Sequence, residues 1–214
     1  MGTATVGDFV EYNNSFFKIE AISNIDKTVT FSGSIPGTTT TNVAFRYYGK
    51  IGAYGNYSHT EGSASKAMGN FSHAEGEGSQ AYGLGSHAQG YHSFAEGDYS
   101  HAEGINSWAY GEGSHAEGCD FGSYASGSGS HAEGMSTASG FVSHSEGTST
   151  AEGDYSHAEG NASYAEGDCS HAEGWGSVAI GRHSHAEGSG SAASGEDSHA
   201  EGDATIASGK ASHA

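Results

Sequence analysis

Small and variable residues alternate along residues 51–214. A pentapeptide Ser-x-Ala-x-Gly recurs about every seven residues, with small side chains at its first, third and fifth places. Because successive side chains of a β-strand point to opposite faces, we predict that each pentapeptide is a strand with Ser, Ala and Gly facing inward. Glycine at the fifth place suits a turn with positive φ. Two strands and two turns make a coil of about 14 residues, so the pattern predicts a parallel β-solenoid with a very thin interior.

Every second pentapeptide is Ser-His-Ala-Glu-Gly or a near copy. These copies begin at Ser58, Ser72, Ser86, Ser100, Ser114, Ser130, Ser143, Ser156, Ser170, Ser184, Ser198 and Ser212. Most starts are 14 residues apart, and every change of length falls in a turn. A step of 16 residues fills one turn with residues 119–122, whereas two steps of 13 leave only Met135 or Thr148 in the turn. We therefore predict that a small loop protrudes at 119–122.

The first 50 residues differ in composition from the repeats and lack their pentapeptide pattern. Segments 8–12, 15–22 and 28–32 are rich in aromatic and β-branched residues, which is typical of short strands, and 42–48 is a candidate fourth strand. We expect a small β module at 1–50, acting as a cap or an attachment, and the solenoid at 51–214. Because about 50 residues bury little core, the module is expected to lean on copies of itself or on a partner.

Acidic residues dominate the charge. The chain has 26 Asp plus Glu against seven Lys plus Arg, and its formal net charge is −19 at pH 7. A protein that binds nucleic acids or anionic membranes needs a basic surface, so we expect neither as a partner of this chain. No apolar run approaches the roughly 18 residues of a membrane span, so we expect no membrane insertion. Residues 1–4 lack the charged and apolar regions of a secretion signal, which favours assembly in the cytoplasm.

A single coil is poorly stabilised by its own interior. Two Ala methyl groups per coil bury too little apolar surface to offset the ordering of the backbone. We therefore expect the outward faces of the coils to be buried against other chains.

The repeats carry a family resemblance. Ser-x-Ala-x-Gly units such as Ser177-Val178-Ala179-Ile180-Gly181 resemble the head repeats of YadA-type trimeric autotransporter adhesins, and the Ser-His-Ala-Glu-Gly unit is similar to repeats of phage tail-fibre proteins. The resemblance covers about residues 51–214. It implies an all-β, left-handed parallel β-roll in which three chains lie side by side around a threefold axis, as a homotrimer.

Histidine and glutamate occupy the outward places of the Ser-His-Ala-Glu-Gly strand. Exposed Glu residues repeated every ~4.8 Å would repel one another, so each is expected to have a partner. We predict that this row lines the subunit interface, with His–Glu hydrogen bonds between chains. The predicted interface residues, called the His–Glu file below, are His59, Glu61, His73, Glu75, His87, Gln89, His101, Glu103, His115, Glu117, His131, Glu133, His144, Glu146, His157, Glu159, His171, Glu173, His185, Glu187, His199 and Glu201.

Two sharper interpretations of these residues are disfavoured. Three chains could present His rings to an axial metal ion, but Gln89 keeps an acceptor while losing the charge, which suits hydrogen bonding better than ligation. We therefore expect no metal and no cofactor. Serine beside histidine resembles part of a catalytic triad, but neighbouring residues of a strand point to opposite faces and out of reach of each other. We expect that the protein is not an enzyme.

Aromatic residues mark the outward places of the second strand of each coil. Tyr82, Phe94, Trp108, Tyr110, Tyr124 and Tyr164 are possible ligand-contact residues. Exposed aromatic rings often stack on sugars or form contact patches, so these residues are candidates for contact with a host-surface glycan or protein. The alternative is that they cover the strands or fill grooves between chains.

Architecture and resemblance together suggest a function. We expect a structural segment of a trimeric fibre, in a phage tail fibre or a similar extracellular appendage, that supports host-surface attachment. The alternative is an adhesin head that itself binds host glycan or protein. The expected location is extracellular, on a virion, or else on a bacterial cell surface.

Overall fold

The computed structural model describes residues 52–119 and 121–214 in full, and the backbone strands at 9–12, 15–23, 28–31 and 46–47. The chain separates into two units, Met1–Gly52 and Ala53–Ala214. All regular elements of the described residues are β-strands. None of those residues forms a helix long and apolar enough to cross a membrane.

Four strands of the amino-terminal unit form an antiparallel sheet. They are β1 (Phe9–Tyr12), β2 (Ser15–Ser23), β3 (Thr28–Phe31) and β4 (Arg46–Tyr47). The sheet order is β3-β2-β1-β4. Each strand lies within or beside a segment that the sequence predicts as a strand, and the other residues of those segments lie outside the described part. The role of the module as a cap or attachment stays a prediction.

The second unit is a solenoid with two strands per coil. The first strand of each coil starts at the histidine of the repeat, and we call these the histidine strands. They are β6 (His59–Ser63), β8 (His73–Glu77), β10 (His87–Tyr91), β12 (His101–Ile105), β14 (His115–Gly118), β16 (His131–Gly134), β18 (His144–Ala151), β19 (His157–Ala165), β20 (His171–Trp175), β22 (His185–Ser189) and β24 (His199–Asp203).

The other strand of each coil is shorter, and we call these the variable strands. They are β5 (Gly52–Ala53), β7 (Lys66–Ala67), β9 (Gln80–Ala81), β11 (Phe94–Ala95), β13 (Trp108–Ala109), β15 (Tyr124–Ala125), β17 (Thr137–Ala138), β21 (Val178–Ala179), β23 (Ala192–Ala193) and β25 (Ile206–Ala207). Strands β18 and β19 run on through the position of the variable strand.

Equivalent residues of successive coils pair with each other. The pairs are parallel and in register, as in His87 with His101 and Ala88 with Ala102. The variable strands pair in the same way, as in Phe94 with Trp108. The predicted parallel β-solenoid with coils of about 14 residues is therefore confirmed.

Alanine and serine fill the interior. The buried Ala side chains from Ala67 to Ala207 are 0–2 % exposed, and the largest fully buried side chains are serines. Most of the serine hydroxyls donate hydrogen bonds to glycine carbonyls. Ser72 Oγ donates to the Gly69 carbonyl three residues back, and Ser79 Oγ donates to the Gly90 carbonyl of the next coil. The thin interior predicted from the sequence is thus held by hydrogen bonds as well as by Ala methyl groups.

The role of the fifth-place glycine differs from the expectation. Gly76, on a histidine strand, does have a φ of +100°, but Gly83, on the other half of the coil, has no positive φ. Neither glycine has space beside its Cα for a Cβ atom. A Cβ at Gly83 would lie 1.9 Å from the Gly97 carbonyl oxygen, and a Cβ at Gly76 would lie 2.0 Å from the Gly90 carbonyl oxygen. Glycine is therefore required mainly because the backbones of successive coils approach closely there.

A left-handed turn residue also stands just before most of the pentapeptide serines, and it is often not glycine. Tyr99 and Asn106 have φ of 58° and 54° before Ser100 and Ser107. Met135 and Thr148, the single residues of the shortened turns, are not among the residues with positive φ. The shortened turns thus omit the left-handed step. In the lengthened turn Gly122 keeps a φ of +83°, and Phe121 is 80 % exposed, as expected for a protruding loop.

A methyl group at a stacked glycine should destabilise the solenoid. In Gly181→Ala, the new Cβ would lie 2.0 Å from the Gly195 carbonyl oxygen, and the backbone must move to accept it. We expect the free energy of unfolding to fall by about 1–3 kcal/mol or more. Gly209→Ala is the matched control, since the same place in the last coil has only Ser212 atoms at 3.6 and 3.8 Å. Its change should stay within about 0.5 kcal/mol. Equal losses in urea denaturation would contradict the close approach.

Substitution of two buried serines by alanine should change the free energy of unfolding in opposite directions. Ser145 stands where neighbouring coils have Ala132 and Ala158, and its buried hydroxyl has no hydrogen-bond partner. Ser145→Ala should therefore raise the free energy of unfolding by about 1–3 kcal/mol. Ser143 Oγ donates to the Gly140 carbonyl at 2.9 Å, so Ser143→Ala should lower it by about 0.5–1.5 kcal/mol. Urea denaturation measures both, and a loss of stability in Ser145→Ala would refute the assignment.

Candidate functional site

Histidine rings form a continuous column along one face of the solenoid. The second place of each Ser-His-Ala-Glu-Gly pentapeptide points outward, and the parallel register sets each ring over the same ring of the next coil. Ring centroids lie 4.7–4.9 Å apart from His59 to His213. From His73 to His199 the planes differ by 12° or less, so ten rings are parallel.

This column is half-buried within a single chain. The side chains of His73, His101 and His157 are 35–38 % exposed, whereas His59 at the start of the column is 61 % exposed. Stacking on the neighbouring coils accounts for the difference, because His59 meets the ring of His73 edge-on, at an angle of 79°, whereas His101 and His157 are stacked between two parallel rings. The His row is thus not fully exposed even before any second chain is added.

Glutamate follows most of the rings two residues later on the same strand, with Gln89 in its place after His87. The distance between His Nε2 and the nearest carboxylate oxygen is 3.5–3.8 Å in seven coils. That is too long for a hydrogen bond. Among the described residues, ten Nε2 atoms are buried without a hydrogen-bond partner: those of His73, His87, His101, His115, His131, His144, His157, His171, His185 and His199. His and Glu of the same strand therefore form no hydrogen bond with each other, and the predicted His–Glu hydrogen bonds between chains stay a prediction.

Burial and stacking lower the pKa of several histidine rings in the column. Desolvation, and then the charge that a neighbouring ring would carry, lower the pKa of several rings below the ordinary value of 6.5, against the opposing pull of the carboxylates. The rings affected are His87, His101, His131, His157 and His185. A proton on one ring disfavours a proton on the next. Near neutral pH these five rings are thus mainly neutral.

A groove runs beside the carboxylates. One part is lined by Gln89, Glu103 and Glu117 with the glycines that follow them, and the next part by Glu117, Cys119 and Glu133. The acidic side chains are thus accessible along the edge of the file. Gln89 interrupts the row of charge at a single coil.

Aromatic side chains cluster on the variable strands of four consecutive coils. Phe94 and Trp108 stack with a 3° angle and a centroid distance of 6.1 Å, and Trp108 and Tyr124 stack at 5° and 4.6 Å. Tyr82 and Tyr110 are exposed on coils of the same group. We call these five residues the aromatic patch. Trp108 lies between two parallel rings, so its faces are already covered.

The sixth predicted contact residue lies elsewhere. Tyr164 is three coils beyond Tyr124 along the variable strands, and its hydroxyl donates a hydrogen bond to Glu152. That bond is the largest cause of the rise of the Tyr164 pKa to about 12, with desolvation second. The structure thus brings five of the six residues together and leaves Tyr164 outside the patch.

Sequence reasoning missed the contribution of the lengthened turn. A Cβ at Gly122 would lie 2.4 Å from the Trp108 ring, so this turn packs directly on the aromatic patch. Phe121 projects beside it, and Tyr91, Ile105 and Met135 are exposed at the equivalent turn of nearby coils. The signal was present in the sequence, because the single insertion of the solenoid lies between the coils that carry Trp108 and Tyr124.

Comparison with protein families bears on the repeats themselves. The model of the YadA head domain repeat matches two copies, at residues 172–195 and 186–212. No curated protein matches the chain. Both matched segments consist of histidine and variable strands of the solenoid, from β20 to β25. The chain therefore carries YadA head domain repeats, the repeat of adhesin-type fibres and heads, at residues 172–212.

Proposed function

We propose that the chain is a segment of a homotrimeric fibre, in a phage tail fibre or a similar extracellular appendage, that supports attachment to a host surface. A virion is the first location and a bacterial cell surface the second. The left-handed three-chain β-roll stays a prediction from the resemblance, and the YadA head repeats support it. The amino-terminal module would act as the cap or attachment of this segment.

One observation carries the proposal: the division of side chains between inside and outside. In residues 52–119 and 121–214, no fully buried side chain is larger than serine. Large apolar side chains are exposed instead, among them Tyr57, Phe71, Trp175 and Ile206. Exposed apolar surface on this scale marks interaction sites. Association of chains side by side would bury it and supply the apolar contacts that the interior lacks.

The His–Glu file is the surface that we propose joins the chains. Its rings are half-buried already, and ten of its buried Nε2 atoms have no hydrogen-bond partner within the described residues. Buried polar atoms are nearly always paired in folded proteins. A carboxylate of a second chain would meet this need without changing the stacked column.

Charge reversal on one face tests both the assembly and its interface. The purified chain should show the mass of three copies of 21.7 kDa, or about 65 kDa, by light scattering. Glu103→Lys with Glu117→Lys puts positive charge beside the His column and should dissociate the trimer. A folded wild-type monomer would defeat the proposal.

The opposite face supplies the matched control. Glu96 and Glu166 occupy the fourth place of variable pentapeptides and are exposed. Glu96→Lys with Glu166→Lys makes the same change of charge and should leave the trimer intact. If this variant dissociates and the first one does not, the interface lies on the variable strands.

A second candidate function is an adhesin head that itself binds host glycan or protein. The observation that favours it is the coincidence of irregularities in one part of a regular solenoid. The aromatic patch, the inserted turn and Gln89 in place of Glu all lie within residues 80–125. Phe121 is 80 % exposed, so its ring, unlike that of Trp108, is free to stack on a sugar.

Loss of Phe121 should remove glycan binding without loss of stability. Phe121→Ser changes an exposed residue, so the free energy of unfolding should stay within about 0.5 kcal/mol. Wild-type protein on a glycan array should bind at least one glycan that Phe121→Ser does not bind. Trp175→Ser, at an exposed turn away from the patch, should bind like wild type. Equal binding by both variants, or no bound glycan at all, would remove glycan recognition from this surface.

A further inference from the structure

The gap between His Nε2 and Glu carboxylate has the size of a shared metal ion. The distances are 3.5 Å for His171 with Glu173, 3.5 Å for His185 with Glu187 and 3.7 Å for His199 with Glu201. A hydrogen bond would shorten them to about 2.7–3.2 Å. Two ligands held at about 2.0–2.2 Å by a tetrahedral Zn²⁺ ion lie about 3.4 Å apart. The pair is therefore spaced as two ligands of one ion.

Neighbouring coils supply a third ligand. In five groups of the described residues, one nitrogen or oxygen atom from each of three side chains lies within 4.8 Å of the others. Two groups combine one ring with two carboxylates, and three combine two rings with one carboxylate. The groups are Glu103, His115 and Glu117; Glu133, His144 and Glu146; His171, Glu173 and His185; His185, Glu187 and His199; and His199, Glu201 and His213.

Side-chain movements complete the geometry. Carboxylates reach a common ion by rotation of the flexible Glu side chain, so the groups with two Glu need no change in the column. In the groups with two His, the two nitrogens must lie about 3.4 Å apart on a tetrahedral ion and must both point at it. The ring centroids of His171 and His185 are 4.8 Å apart and the ring planes differ by 6°, so one ring must rotate out of the stack.

The ligand set selects the class of metal. Imidazole nitrogen with carboxylate oxygen suits Zn²⁺ and related transition metals, whereas Ca²⁺ and Mg²⁺ prefer oxygen ligands alone. A dication between the ring and the carboxylate would also satisfy the buried Nε2 atom, which has no other partner in the described residues. The formal charge of −19 favours cation binding along the whole chain.

We propose that the His–Glu file, for which the sequence alone led us to expect no metal, is a linear array of zinc-class metal sites, each built from two successive coils of one chain. Four of the five groups share no residue when the group of His185, Glu187 and His199 is left aside, so one chain holds up to four ions. Every protein ligand comes from a single chain, and the inference does not depend on the proposed trimer. The remaining coordination position is open to water or to a group of a neighbouring chain.

Metal content of the untagged full chain tests the proposal. After removal of metal with a chelator, the protein is dialysed against Zn²⁺ at about pH 7.5, a unit above the ordinary histidine pKa, and its zinc is measured by mass spectrometry. We expect a stoichiometry close to four. Glu173→Gln with Glu187→Gln and Glu201→Gln removes three groups and should lower it to about two. Gln89 shows that the file accepts Gln at this place.

The control makes the same substitutions on the other half of the coils. Glu96, Glu152 and Glu166 stand at the fourth place of variable pentapeptides, and changing all three to Gln should leave the stoichiometry close to four. Cobalt-loaded wild-type protein should show the visible absorption of four-coordinate Co²⁺, and millimolar Ca²⁺ should not displace the zinc. Fewer than one zinc per chain, equal losses in the two variants, or displacement by Ca²⁺ would overturn the proposal.

Light scattering on the same samples separates the two proposals. A trimer that binds no zinc after dialysis against Zn²⁺ would refute the metal array alone, whereas a zinc-loaded monomer would refute the trimeric fibre alone.

Discussion

The close approach of one coil to the next is the constraint on which the structure depends. At most fifth-place glycines from Gly55 to Gly195, a carbonyl oxygen of the following coil occupies the space where a Cβ would be. Coils packed so tightly can enclose only serine and alanine. A flat coil with this interior cannot hide a large side chain, so every aromatic residue of the solenoid is placed on its surface. Architecture and surface chemistry thus have one cause.

In-register stacking converts each residue of the repeat into a row. One histidine per coil becomes a column of rings, and one glutamate becomes a line of carboxylates at the spacing of strands. Favourable contacts are repeated from coil to coil in this way. Unfavourable features are repeated too, such as the buried Nε2 atoms without a hydrogen-bond partner among the described residues. A weak preference of one coil for a second chain becomes strong when successive coils share it.

Much of the fold follows from two patterns in the sequence, the alternation of small and variable residues and the repeat of about 14 residues. Both can be read without knowing how far apart successive coils lie. The inward places of Ser and Ala and the 14-residue coil are of this kind, and so is the loop at Phe121. The structure was needed where two coils meet. The left-handed turn at Tyr99, the steric need for Gly83 and the 3.5 Å gap at His101 depend on how far apart successive backbones lie, and no local pattern gives that distance. The packing of Gly122 on Trp108 joins a loop to a residue of an earlier coil for the same reason.

The inserted turn has a consequence for how such a solenoid can vary. Strands on both sides of it keep their pairing, with His115 opposite His131 and Trp108 opposite Tyr124. Extra residues are therefore absorbed at an edge without disturbing the coils above or below. Loops of other lengths can be accommodated at the same edge, because the pairing depends on the pentapeptides and not on the turns between them. Variation of the surface and continuity of the strand ladder thus rest on separate parts of the same 14-residue unit.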